Sequence, residues 1–175
     1  MTLPPDAAVP DEFADLIAAN RCYAETHDLS GFDGIAHAGV AIVTCMDSRI
    51  DPLRMVGLDP GDAKIIRNPG GRVTELAMEA LVLGVHLLQV RRILVVPHTR
   101  CAVATTTEAE VRAAITAASG VDASWQQFHV VDDQRRALAD DLQRVRTHPL
   151  VGDRAIVGGF IYDVDSGLLH PLEDD

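Results

Sequence analysis

Three short aliphatic runs, each ending at a polar or glycine-rich cluster, limit most strongly what this chain can fold into. Residues 40–44 run into Cys45-Met46-Asp47-Ser48-Arg49, residues 63–67 into Asn68-Pro69-Gly70-Gly71, and residues 92–97 into His98-Thr99-Arg100-Cys101. Runs this short, rich in β-branched residues and bounded by turn residues, read as buried strands. Helix-periodic stretches lie between and after them. One runs from Thr74 to Gln89, with Thr74 as N-cap and Leu76, Ala80, Leu83 and Leu87 sharing a face. Others cover 108–118, broken by Gly120, and 133–146. A shorter one follows Asp51-Pro52, and Gly57 to Gly61 reads as a turn. A further strand is read at 128–131 and another at 155–162, after which Asp165-Ser166-Gly167 turns into 168–170. This alternation predicts an α/β fold: a mainly parallel sheet of about four to five strands flanked by helices, with the last two strands as an antiparallel edge.

No repeat or linker interrupts the pattern, so 1–175 reads as one domain. Residues 1–10 read as a frayed tail. Residues 11–27 read as a helix, with Asp11 as N-cap and an apolar stripe of Phe13, Leu16, Ile17 and Tyr23. Residues 27–39 read as loop. Hydrophobic residues at 47% and charged ones at 23% exclude a disordered chain. Aromatics at 4% leave the core to Val, Ile, Leu and Ala.

A formal charge of −11 argues against a nucleic-acid-binding or anionic-membrane surface, both of which need a basic face. No apolar run reaches the roughly eighteen residues of a membrane span. Residues 1–10 lack the basic and apolar regions of a signal peptide, which predicts a cytoplasmic protein. Three cysteines, Cys22, Cys45 and Cys101, are a poor disulfide framework. They leave metal binding, catalysis or core filling.

In an open α/β sheet, ligands bind beyond the carboxyl ends of the strands. If the three runs are parallel neighbours, their terminal clusters meet at one sheet edge. Cys45, His98 and Cys101 then form a soft ligand set suited to Zn²⁺, and three protein ligands leave one position open for chemistry. Asp47 and Arg49 can pair or project toward the same place. Beside a metal, Asp47 can accept a hydrogen bond from bound water or occupy the open position itself, and a bidentate Arg49 decides between the two. Gly70 and Gly71 allow either a tight turn or close backbone approach to substrate. His86 reads as an ordinary helical residue, and Cys22 as a core or interface thiol.

On these residues the chain resembles the β-class carbonic anhydrases, and within them the small actinobacterial type. The resemblance rests on Cys45-x-Asp47-x-Arg49 and His98-x-x-Cys101, with Arg67-Asn68-Pro69-Gly70-Gly71 between them. It implies one zinc per chain on Cys45, His98 and Cys101, with Asp47 and Arg49 as catalytic dyad. It implies interconversion of CO₂ and bicarbonate, zinc-bound hydroxide being the nucleophile. It also implies a homodimer or tetramer in which helix 11–27 packs on the partner. Arg100 and Ala102 depart from the Asp and Gly usual in the family at those places. A positive φ at 102 would strain alanine by roughly 1–2 kcal/mol. Arg100 reads as an exposed side chain pairing with a carboxylate. Hydrolysis of COS or CS₂ on the same scaffold, and a catalytically silent zinc-binding relative, are the alternatives.

Overall fold

The computed structural model describes residues 10–172. The chain forms two compact units, Met1–Asp33 and Gly34–Asp175. Most of the 1–10 tail lies outside the described residues.

In the first unit, a 3-10 turn (Asp11–Phe13) leads into helix α1 (Ala14–Glu25). Asp11 sits inside the turn and makes no cap, so the expected N-cap is not formed. No residue of α1 is buried. Phe13 and Tyr23 of the expected stripe are 53% and 57% exposed, and Cys22 is exposed rather than in a core.

The second unit holds a five-stranded sheet of order β2-β1-β3-β4-β5. Its strands are β1 (Val40–Cys45), β2 (Ala63–Asn68), β3 (Arg92–Val96), β4 (Ile156–Tyr162) and β5 (Leu169–Pro171). The first four are parallel, and β5 pairs antiparallel with β4. All six residues of β1 are buried, as a central strand of continuous aliphatic character should be. The order has one telling feature. From β1 the chain crosses to β2 on one side, then returns to lay β3 on the other. The carboxyl ends of β1 and β3 therefore flank a topological switch point, where such sheets open a crevice.

Three helices complete this unit: α2 (Glu75–Leu87), α3 (Glu108–Ser119) and α4 (Gln134–Arg146). The Thr74 hydroxyl accepts from Ala77 N–H to start α2, and the Asp133 carboxylate accepts from Arg136 N–H to start α4. A capping box between Thr107 and Glu110 starts α3. The α2 core face is Ala77, Met78, Leu81, Gly84 and Val85. The predicted face is its neighbour, where Leu76 and Leu87 are 78% and 69% exposed. Helix α2 is apolar nearly all round, so side-chain polarity does not distinguish the two faces.

No strand forms at 128–131. The Phe128 N–H donates to the Glu108 carboxylate and the Val131 N–H to the Val103 carbonyl. Those donors are taken by a side chain and a loop, so no ladder can form. The short helix after Asp51 is a 3-10 turn (Arg54–Val56), its Arg54 N–H held by the Asp51 carboxylate at 3.2 Å.

Candidate metal centre

The switch point brings both halves of the sequence motif together. Cys45 is the last residue of β1, and His98 and Cys101 lie in the turn after β3. All three are buried, and their ligand atoms lie within 4.8 Å of one another. The two sulfurs are 3.9 Å apart. Two thiolates on one tetrahedral zinc, each about 2.3 Å from it, would be about 3.8 Å apart.

The histidine is oriented for the same purpose. His98 Nδ1 donates to the Thr99 carbonyl at 2.9 Å, which leaves Nε2 as the bare acceptor. The side chain is fully buried, and Nε2 has no hydrogen-bond partner. A buried lone pair without a donor is costly unless a cation takes it. Burial also holds the imidazole pKa below its ordinary value and pushes that of the Cys101 thiol up. The imidazole is thus neutral and ready to ligate, while the thiol needs a metal to give up its proton. The donor set and its spacing fit a soft divalent cation.

Asp47 and Arg49 are paired beside this set. Arg49 Nε donates to Asp47 Oδ1 at 2.9 Å and Nη2 to Oδ2 at 2.7 Å. The Arg49 backbone N–H adds a third bond to Oδ1 at 3.0 Å. These bonds hold the Asp47 carboxyl well below the usual carboxylate range. Oδ2 stands 3.8 Å from His98 Nε2, beside the ligand cluster without joining it.

Gly70 and Gly71 back the site. The Gly70 N–H donates to Cys45 Sγ at 3.3 Å. Gly71 has φ of +67°, and a Cβ there would stand 3.0 Å from Cys45 N. The close backbone approach read from the sequence is therefore made to Cys45. Gly71→Ala is expected to destabilise the fold by at least about 1–3 kcal/mol, from the left-handed strain alone. Thermal or urea unfolding measures it.

Four further contributors surround the site: the sequence reading gave Gln134 and Arg72 no role, Arg67 only a place in the glycine motif, and Arg100 only an exposed ion pair. Arg67 Nε and Nη2 donate to the carbonyls of Cys45 and Asp47 at 2.9 and 2.6 Å, fixing that backbone from the next strand. Gln134 Nε2 donates to the His98 carbonyl at 2.9 Å. Arg72 binds buried Asp141 in a bidentate pair at 2.6 and 3.2 Å, and Val73 N–H adds a bond at 3.1 Å. This ties the glycine turn to α4. Asp141→Ala leaves Arg72 partly buried without its counter-charge, which is expected to cost about 3 kcal/mol in urea unfolding. The fourth is Arg100. Positive φ falls here, at +54°, while Ala102 begins a 3-10 turn (Ala102–Ala104) without strain. The Arg100 side chain pairs with Asp165, as an exposed arginine was expected to do. His129 is exposed in a loop, and exposed His86 bonds the Leu150 carbonyl.

A mainly parallel sheet with a Cys–His–Cys cluster able to hold a metal, and an Asp–Arg pair beside it at the switch point, defines an α/β protein with a candidate metal centre. The sequence profile of the carbonic anhydrase family matches residues 40–169. Over 165 residues the chain is 34% identical to β-carbonic anhydrase 1 of Mycobacterium tuberculosis, covering 90% of this chain and 96% of that protein. The crystal structure of a carbonic anhydrase from Streptococcus mutans superposes with a TM-score of 0.83 at 36% identity, covering 95% of this chain and all of that one. A carbon disulfide hydrolase of Acidithiobacillus thiooxidans is 25% identical, covering 74% of this chain and 75% of that protein. The chain belongs to the β-carbonic anhydrase family.

Proposed function

We propose that this protein interconverts CO₂ and bicarbonate, a lyase reaction, using one zinc per chain held by Cys45, His98 and Cys101, with Asp47 and Arg49 as its catalytic pair. The observation that carries this reading is the bare, buried Nε2 of His98 facing two thiols spaced as zinc requires. Zinc, when bound, supplies the Lewis acidity that makes water a nucleophile at moderate pH.

The chain's own residues supply the rest. Arg49 occupies both Asp47 oxygens and so holds the carboxylate as a neighbour of the metal ligands rather than a fourth one. Asp47 Oδ2 keeps a lone pair with which to accept a hydrogen bond, and then a proton, from the water that adds to CO₂. Because its pKa is depressed, the carboxylate is ionised at every working pH. Gly70 N–H stabilises negative charge on Cys45 Sγ. Ile50, Val103 and Ala104, packed around Cys45 and Cys101, give the site an apolar flank suited to a small linear apolar substrate. The substrate-binding role read for Gly70 and Gly71 is then indirect: they bring the backbone close behind Cys45.

One observation favours a second reading. The relationship to a carbon disulfide hydrolase makes CS₂ or COS, linear like CO₂ and more apolar, the rival substrate. A catalytically silent zinc protein is disfavoured because Asp47 and Arg49 are both present and paired. The exposed apolar residues of α1 and the leucine face of α2 support a homodimer or a tetramer built from it, with α1 packed on the partner. Among the described residues no helix is long and apolar enough to cross a membrane. Metal ligation needs Cys45 and Cys101 as free thiols, which suits a reducing compartment such as the cytoplasm.

Stopped-flow hydration of CO₂ by the zinc-loaded protein at pH 8.5 tests the assignment. Turnover with one zinc per chain supports it. Zinc present without turnover overturns it, and kcat/KM for COS and CS₂ then decides the rival.

A further inference from the structure

We propose that the Arg100–Asp165 ion pair is a positioning device: it holds the turn between His98 and Cys101 in the conformation that presents the Arg100 carbonyl to Arg49. This rests on the reading of Asp47 and Arg49 as the catalytic pair.

Arg49 has two hydrogen-bonding partners. Asp47, only two residues away, takes Nε and Nη2. The Arg100 carbonyl takes Nη2 at 3.3 Å across 51 residues of sequence. Only the second bond ties the guanidinium to a different part of the fold. Arg67 fixes the backbone at Asp47, so without this bond it is the paired side chains of Asp47 and Arg49 that can shift together. The distance from Asp47 Oδ2 to His98 Nε2, 3.8 Å here, would no longer be fixed from the Arg49 side.

The Arg100 carbonyl accepts from Arg49 while Arg100 has φ of +54°, a region that residues with a Cβ avoid. Something must hold it there, and the β4–β5 hairpin does. Arg100 Nη2 meets Asp165 Oδ1 at 2.5 Å. Asp165 is itself fixed, its N–H donating to Asp163 Oδ1 at 3.1 Å within the hairpin turn. The residue before Arg100 is pinned to the same turn, since Thr99 Oγ1 donates to Asp163 Oδ1 and accepts from Val164 N–H, each at 3.1 Å. Thr99 fixes where the ligand turn lies, and Arg100 fixes how its next peptide is rotated. The Asp165 carboxylate also acts electrostatically on Arg49, favouring its charged form. An exposed ion pair adds little to stability, so its effect should be visible in geometry rather than in melting.

The test uses the full-length, zinc-loaded protein and three variants: Asp165→Asn, Arg100→Gly and Arg100→Lys. Glycine accepts the positive φ, so Arg100→Gly removes the tether without straining the backbone. Four quantities are measured: zinc per chain, Tm, kcat with KM for CO₂, and solvent exchange of the Arg49 Nε–H by NMR. Asp165→Asn and Arg100→Gly are expected to speed that exchange and lower kcat about tenfold, with KM, zinc content and Tm held. Arg100→Lys keeps the cation and should restore most of the loss. Unchanged Arg49 exchange in Asp165→Asn overturns the inference, as does loss of zinc in that variant. If the wild type hydrates no CO₂, the exchange measurement still decides the tether, and only the activity reading fails.

Discussion

Cys101→Ser is expected to leave the protein without zinc and its CO₂ hydration indistinguishable from buffer. The reason lies in what zinc must displace. Burial pushes the Cys101 thiol pKa above its ordinary value, so the metal-free site holds a proton there at neutral pH. Thiolate binding repays its removal, whereas a serine hydroxyl is a far weaker acid and a harder ligand. The remaining Cys45 and His98 make a two-point site, which exchanges its metal readily. Elemental analysis after dialysis reads the loss directly.

The same reasoning gives the wild type a pH dependence of known sign. Zinc competes with the proton on Cys101, so affinity falls as pH falls. His98 does not add to that dependence near neutrality, because its depressed pKa leaves the ring unprotonated there. Competition against a chelator of known affinity, between pH 6 and 8.5 as roughly the useful range, measures the slope.

Asp47→Asn should retain zinc and lose about 10²–10⁴-fold in kcat, the range for removing a group that takes a proton during reaction. Asparagine is close in size, and its Oδ1 can still accept from Arg49 Nε. Its amide, however, presents N–H groups toward Arg49 Nη2, where the wild type has an acceptor at 2.7 Å. The pair is half broken, and the remaining carbonyl oxygen cannot accept a proton at working pH. Zinc content equal to wild type with kcat lowered separates this role from ligation. Unchanged kcat would remove Asp47 from the reaction. Because the Asp47 pKa lies well below the usual carboxylate range, its protonation does not set the acid limb of the wild-type profile.

The clustering of Cys45, His98 and Cys101 was legible in the sequence because these residues follow short aliphatic strands and carry rare chemistry at fixed spacing. The strands were legible for the same reason, except at 128–131, where Phe128 and Val131 send their backbone bonds to Glu108 and Val103. The residues that hold the site rigid were not legible. Arg72 and Gln134 look like any other polar residues until the fold sets them against Asp141 and the His98 carbonyl, 69 and 36 residues away in sequence, and nothing in the sequence ties Arg100 to Arg49. Helix α2 misled because both of its faces are apolar. Only the position of the sheet decides which one is core, and it leaves Leu76, Leu83 and Leu87 outside.

The placement of the ligands on neighbouring strands also fixes when a metal can arrive. Cys45 and Cys101 are 56 residues apart, and their sulfurs meet only after β1 and β3 have paired in register. An ion therefore cannot gather an unfolded chain around itself as it does in a compact zinc finger, whose ligands lie close in sequence. On the zinc reading, the sheet has to form first and the ion would then fasten two strands already side by side, so stripped protein is expected to take zinc back without first unfolding.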